Sequence, residues 1–162
     1  RLFNPIKGGG TLLDIGIYPI FLAYYLLGIP NNIEASAHIT PKGIDKQLAI
    51  ILTYEHAHAL LYSSYTHNEE MRATIAGEKG EIYMDDRWHE SPNLNLVQSK
   101  VKTPKSFNFL GLGYSYEIME ASQCLREGAI ESSKWTHQNS LELMKIIDSV
   151  RKKAGISYPS DI

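Results

Sequence analysis

The chain has 162 residues with a net charge of −2, 43% hydrophobic residues and 21% charged residues, the profile of one ordinary globular domain with enough length to bury a core. Acids and bases are interspersed, so neither a nucleic-acid-binding stripe nor an acidic tail is present. A single cysteine, Cys124, excludes an internal disulfide framework, fits a small apolar packing residue, and points to a reducing cytoplasm; no signal peptide is recognised and no apolar run reads as a membrane span.

The residues KGGGTLLDIGIYP (7–19) open the first predicted element, a helix over Thr11–Leu27. Thr11 is placed to cap it, with Asp14 three residues on as the capping-box partner. Leu12, Leu13, Ile17, Ile20, Phe21 and Leu22 form its apolar face, Gly28 and Pro30 stop it, and Pro19 predicts a kink one turn after Asp14. The period then changes to two. Strands are expected over Ile33–Thr40, Lys46–Tyr54, His58–Thr66, Met71–Ala76, Gly80–Met84 and Leu94–Val101, closely spaced and therefore mostly antiparallel. Helices follow over Tyr114–Glu127 and His137–Ala154, the second capped by Thr136 and ended by Gly155, with Leu141, Met144, Ile147 and Val150 on one face. This order predicts an α+β fold: a mostly antiparallel, open-faced sheet with helices packed on one face. Ala35, Ala37, Ala49, Ile51, Ala57, Ala59 and Leu61 suggest that the open face is apolar and pairs two subunits.

The three glycines before a helix raise the possibility of a phosphate loop. A dinucleotide fingerprint needs a strand before the glycines and a βαβ unit after them, and a P-loop ends in Lys-Ser/Thr; neither occurs here. Two readings of Asp14 and Tyr18 stay open. In one they are a capping acid and a core aromatic. In the other they share a helical face at i and i+4 and form half of an active site. A phenol has a pKa of about 10, so proton exchange by Tyr18 needs a nearby cation. His56 and His58 lack a third metal ligand, His137 reads as a first-turn helix residue packed under the sheet, and Trp88 and Trp135 read as core or interface anchors.

Lys7–Gly28, with Asp14-Ile15-Gly16-Ile17-Tyr18 at its centre, resembles the C-terminal domain of the Gfo/Idh/MocA oxidoreductases, in its dihydrodiol-dehydrogenase-like branch. Ala73–Gly80, Gly113–Glu117, Cys124–Gly128, Ser140–Glu142 and Tyr158–Pro159 match in the expected order. The resemblance implies a glyceraldehyde-3-phosphate-dehydrogenase-like C-terminal domain that contributes substrate contacts and pairs as a homodimer. It implies a partner Rossmann domain that binds NAD or NADP and carries a catalytic lysine in a Glu-Lys-Pro motif. Neither that motif nor the glycine fingerprint occurs in this chain. Residues 1–162 are therefore expected to be one N-terminally clipped domain, inactive alone. By analogy Tyr18 exchanges the hydroxyl proton of a sugar, polyol or diol while hydride passes between carbinol carbon and nicotinamide. Asp14 orients the lysine or the substrate hydroxyl, Tyr114 and Arg1 line the substrate cleft, and Gly9 and Gly10 let the backbone turn beneath the cofactor. The alternative is a non-catalytic ligand-binding or dimerisation module of the same fold.

Overall fold

The computed structural model describes residues 1–68, 70–91 and 93–161. The chain divides into two compact units, residues 1–68 with 135–162 and residues 69–134.

The first unit begins with a tight turn, Pro5–Lys7, capped by the Asn4 side chain, which accepts from the Ile6 N–H at 3.0 Å. The first helical stretch is not regular. Leu12–Gly16 forms a π-helical turn, and only from Ile17 does it become an α-helix, α1 (Ile17–Leu27). The distortion falls on the residues before Pro19. Its ring has no N–H to give to the carbonyl of Ile15 and crowds that carbonyl in a regular helix; a widened turn there relieves both problems. The whole stretch Pro5–Leu27 is 23 residues long and apolar enough to cross a membrane by length and composition, contrary to the expectation from the sequence. In this fold it is a core helix, with Leu12, Ile20, Ala23 and Tyr24 buried.

Strands β1 (Asn32–Ile39), β2 (Asp45–Thr53) and β3 (His58–Ser64) form an antiparallel sheet in that order. The β2–β3 hairpin closes where the Tyr54 N–H donates to the Ala57 carbonyl at 2.9 Å. Register decides which residues share a face: Ala35 pairs with Ile50, Ile50 with Leu61 and Ala49 with Tyr62. Leu48, Ile50 and Leu52 are buried, and Ile33, Ala35, Ala37, Ala57, Ala59 and Leu61 pack on the same core. The expected open face is therefore corrected. Ala35, Ala37, Ala57, Ala59 and Leu61 belong to the covered side, and the outer side carries Ala49, Ile51, Leu60 and Tyr62, all exposed. A list drawn by composition mixed two faces that the period of two separates.

Helix α3 (His137–Ala154) packs on this sheet through Leu143, Ile146, Ile147 and Val150. These stand at i, i+3, i+4 and i+7, the spacing of one buried stripe. The predicted face is shifted, since Leu141 and Met144 are exposed. Thr136 caps the helix in a reciprocal box with Asn139. His137 is exposed at its start rather than packed under the sheet. The Tyr24 hydroxyl joins α1 to α3, donating to Glu142 Oε2 at 2.6 Å and accepting from Asn139 Nδ2 at 3.0 Å. Trp135 anchors the same junction, its ring 4.9 Å from Phe21 and 5.8 Å from Tyr24.

The second unit holds a separate antiparallel sheet, β4 (Ala73–Gly77), β5 (Gly80–Met84), β6 (Asn93–Gln98) and β7 (Val101–Ser106), and the helix α2 (Tyr114–Glu127). Leu94–Val101, expected as one strand, is broken by a turn in which Ser99 and Lys100 adopt positive φ. Cys124 is half-buried, with its thiol 3.8 Å from Glu120 Oε1. The α+β class and the antiparallel pairing agree with the sequence reading; the strands are shared between two sheets.

Candidate functional site

The candidate residues gather at the glycine turn and the π-helical segment of the first unit. Gly10 has φ +135°, and a Cβ there would stand 1.8 Å from Asp45 Oδ1. A Cβ on Gly9 would stand 2.5 Å from the Leu2 carbonyl oxygen and 2.9 Å from that of Arg1. Both glycines are buried. Their lack of a side chain lets the N-terminal turn and the head of β2 close onto the start of the helix.

Thr11 does not cap with its own side chain, so the capping-box expectation is corrected. The cap comes from a distant strand. Asp45 Oδ2 accepts from Thr11 Oγ1 at 3.0 Å and from the Leu12 N–H at 2.8 Å. All three residues are fully buried. Burial pushes the Asp45 carboxyl above its ordinary range, while the two donors pull the other way. Asp45 Oδ1 has no hydrogen-bond partner. A carboxylate at a helix N-terminus meets unpaired N–H groups and the positive end of the helix dipole, which offset part of its desolvation.

Asp14, released from capping, turns outward. Arg1 Nη2 donates to Asp14 Oδ1 at 2.5 Å, with the guanidinium largely exposed and the carboxylate three-quarters covered. The Tyr65 hydroxyl, just beyond β3, donates to the Gly10 carbonyl at 2.9 Å. Burial, followed by the proximity of Asp14 and Asp45, pushes the Tyr65 phenol far above its ordinary range. Tyr18 stands four residues beyond Asp14 and is 44% exposed.

The structure thus brings Arg1, Asp14, Gly9 and Gly10 together at one end of the first helical stretch, with Tyr18 on its next turn. Tyr114 opens α2 in the second unit and is 67% exposed. Sequence reasoning missed Asp45 and Tyr65. A signal existed for each. Asp45 is an acid shortly before the apolar run Leu48–Leu52, and Tyr65 follows Leu61 and Ser63 at a period of two on the covered side of β3. Among the described residues, no group of three or more His, Cys, Asp or Glu side chains is arranged to hold a metal ion.

Residues 1–83 match a family model described as the GFO/IDH/MocA C-terminal domain. The chain is 31% identical over 168 residues to scyllo-inositol 2-dehydrogenase (NADP(+)) IolU of Bacillus subtilis, covering 98% of this chain and 48% of that protein. It is 33% identical over 163 residues to trans-1,2-dihydrobenzene-1,2-diol dehydrogenase of Xenopus tropicalis, covering 94% and 49%. The chain therefore spans about half the length of these curated relatives. Among solved structures it resembles an aldose-aldose oxidoreductase from Caulobacter crescentus complexed with glycerol, at a TM-score of 0.78 and 22% identity over 91% of this chain and 46% of that one. The 3-ketoreductase KijD10 from Actinomadura kijaniata, solved with NADP, gives a TM-score of 0.74 and 24% identity over 93% and 49%. At these identities the structural likeness carries the fold.

Proposed function

The chain belongs to the GFO/IDH/MocA C-terminal domain family, and from that premise we propose that it is the substrate-side part of an NAD(P)-dependent oxidoreductase acting on a sugar, polyol or diol. The observation that carries this reading is the π-helical turn at Leu12–Gly16. It presents Asp14 to Arg1 and leaves the Tyr18 phenol exposed one turn later. Irregular helical turns of this kind concentrate at functional sites.

When bound, the nicotinamide supplies the hydride chemistry. The residues of this chain fit the substrate side of such a cofactor. Gly9 and Gly10 are closed against Asp45 and the N-terminal turn, so their part is to set the backbone beneath the cofactor. The dinucleotide phosphates fall to a Rossmann domain outside this chain. Tyr18 accepts the substrate hydroxyl proton on oxidation and returns it on reduction, with a lysine from that domain as the cation that makes a phenolate accessible. Asp14 orients that lysine or the substrate hydroxyl, with Arg1 balancing its charge. The chain alone, without the nucleotide domain, is inactive.

The outer face of the first sheet, with Leu60 78% and Tyr62 47% exposed, pairs two copies as a homodimer, and the single thiol suits a cytoplasmic enzyme. The test of the catalytic reading is Tyr18→Phe in the enzyme carrying its nucleotide-binding domain, assayed with NADP+ and scyllo-inositol or trans-1,2-dihydrobenzene-1,2-diol. Turnover is lost and cofactor affinity kept; a fully active variant removes Tyr18 from the mechanism.

A further inference from the structure

On the outer face of the first sheet two imidazoles converge on one amide. The register puts His38, Gln47 and Ser64 side by side across β1, β2 and β3, with Ser36, Ala49 and Tyr62 in the next outward row. His38 Nδ1 donates to Gln47 Oε1. Gln47 Nε2 donates to Thr66 Oγ1 at 2.8 Å and to His67 Nε2 at 3.0 Å. The Tyr62 hydroxyl donates to the same His67 nitrogen at 2.8 Å, and the two rings stack with centroids 6.1 Å apart and planes 12° from parallel. The His67 proton is then on Nδ1, 3.4 Å from Thr66 Oγ1. An amide offers one oxygen that accepts and one NH2 that donates. With its oxygen toward His38, the facing nitrogen of His38 carries a proton and that of His67 a lone pair. With the amide turned over, the roles exchange. In either orientation one facing nitrogen holds a proton; when both do, an N–H points at an N–H.

We propose that the His38–Gln47–His67 cluster makes the pairing of two copies through this face sensitive to pH: the dimer closes with at most one ring per copy charged and is released when both are; this rests on the reading that the outer face pairs two copies. Tyr62 belongs to the cluster and, with Leu60, to that exposed face. His38 and His67 are exposed in a single copy, where water accepts from a second N–H. A copy laid on the face excludes that water, and an unmet donor or an unpaired charge there is costly. Imidazole is the side chain that takes up its second proton between about pH 5 and 8. Among the described residues the cluster's hydrogen-bond partners are an amide, hydroxyls and a phenol, with no carboxylate to absorb a second charge. The ionisable groups around it in the first unit are Glu34, four residues from His38 on the same face of β1, His58 at the far end of β3, Lys42 in the β1–β2 turn and Lys46, the extra residue of the bulge beside Gln47. The Asp45 carboxyl is engaged by Thr11 and Leu12.

The test is the dimer dissociation constant of the enzyme with its nucleotide-binding domain, measured by analytical ultracentrifugation at about pH 8 and about pH 5.5, with circular dichroism at both. The parent dimer is expected to weaken by about tenfold or more at the lower pH, because each released copy takes up a proton. His67→Phe keeps a ring against Tyr62 and leaves one imidazole, which the amide oxygen serves at either pH, so its dimer holds at both. Gln47→Glu supplies a carboxylate that accepts from both rings, and acid no longer loosens the dimer. Should one variant fail to fold, the other carries the comparison. A parent dimer equally tight at both pH values overturns the inference and leaves the homodimer standing. Acid release that persists undiminished in either variant overturns it as well, as does release accompanied by loss of the helical signal. A parent that is monomeric at the higher pH, or a dimer that survives Leu60→Lys, instead removes the outer-face pairing itself, and the inference with it.

Discussion

Replacing Asp45 by alanine removes the carboxylate that caps the first helical stretch from across the fold. Two donors lose their acceptor, the Leu12 N–H at 2.8 Å and Thr11 Oγ1 at 3.0 Å, in residues that are fully buried. A buried donor left unpaired costs about 1–3 kcal/mol. The Leu12 N–H is fixed and bears the full cost, whereas the Thr11 hydroxyl can rotate and bears the lower end. Against this, the variant no longer buries a carboxyl with one unpartnered oxygen, which returns part of the loss. The net expectation is a destabilisation of about 3 kcal/mol, or roughly 6–12 °C in Tm for a domain of this size. Asp45→Asn keeps an amide oxygen for the Leu12 N–H and has an expected cost of about 1 kcal/mol or less. Thermal and denaturant unfolding followed by circular dichroism measure both. Asp45→Ala melting with the parent, or Asp45→Asn falling as far as Asp45→Ala, would contradict the capping role of Asp45.

Three further outcomes follow from the same geometry. The folded-state carboxyl of Asp45 is raised above its ordinary value of 3.8, so the folded protein binds more protons than the unfolded chain just above that pH; its contribution is complete at lower pH and is lost as pH rises through the folded value. The stability of the parent relative to Asp45→Asn therefore declines from about pH 4 upward, and a flat or rising difference in denaturant midpoints contradicts the assignment. Gly10→Ala places a methyl 1.8 Å from Asp45 Oδ1 at φ +135°; it costs about 2–4 kcal/mol, combining backbone strain with disruption of the cap, and a variant as stable as the parent excludes the packing role. For the proposed homodimer, Leu60→Lys on the outer face of the first sheet halves the mass seen by light scattering, and an unchanged mass contradicts pairing through that face.

Much of the fold was legible because it is written in local spacing. The bounds of α2 and α3, the β2–β3 hairpin and the strands around Gly77–Gly80 follow from periodicity, turn residues and caps. What was not legible depends on residues distant in sequence. Thr11 and Asp14 have the spacing of a capping box, yet each finds a partner elsewhere: Thr11 in Asp45, and Asp14 in Arg1. The outer sheet face was misjudged for the same reason, since which of two alternating sets is covered is decided by register and by α3, not by composition. The Asp14–Tyr18 motif itself was visible in the sequence, and the structure adds the buried Asp45, which holds Thr11 and Leu12, and Tyr65, which holds the Gly10 carbonyl.

The central claim is that Tyr18 exchanges the substrate proton, and single-turnover hydride transfer by Tyr18→Phe tests it most directly. With NADP+ saturating, in the enzyme carrying its nucleotide-binding domain, nicotinamide reduction by this variant is expected to slow by about a hundredfold or more while NADP+ binding is unchanged. Hydride transfer at the parent rate in that variant would contradict it.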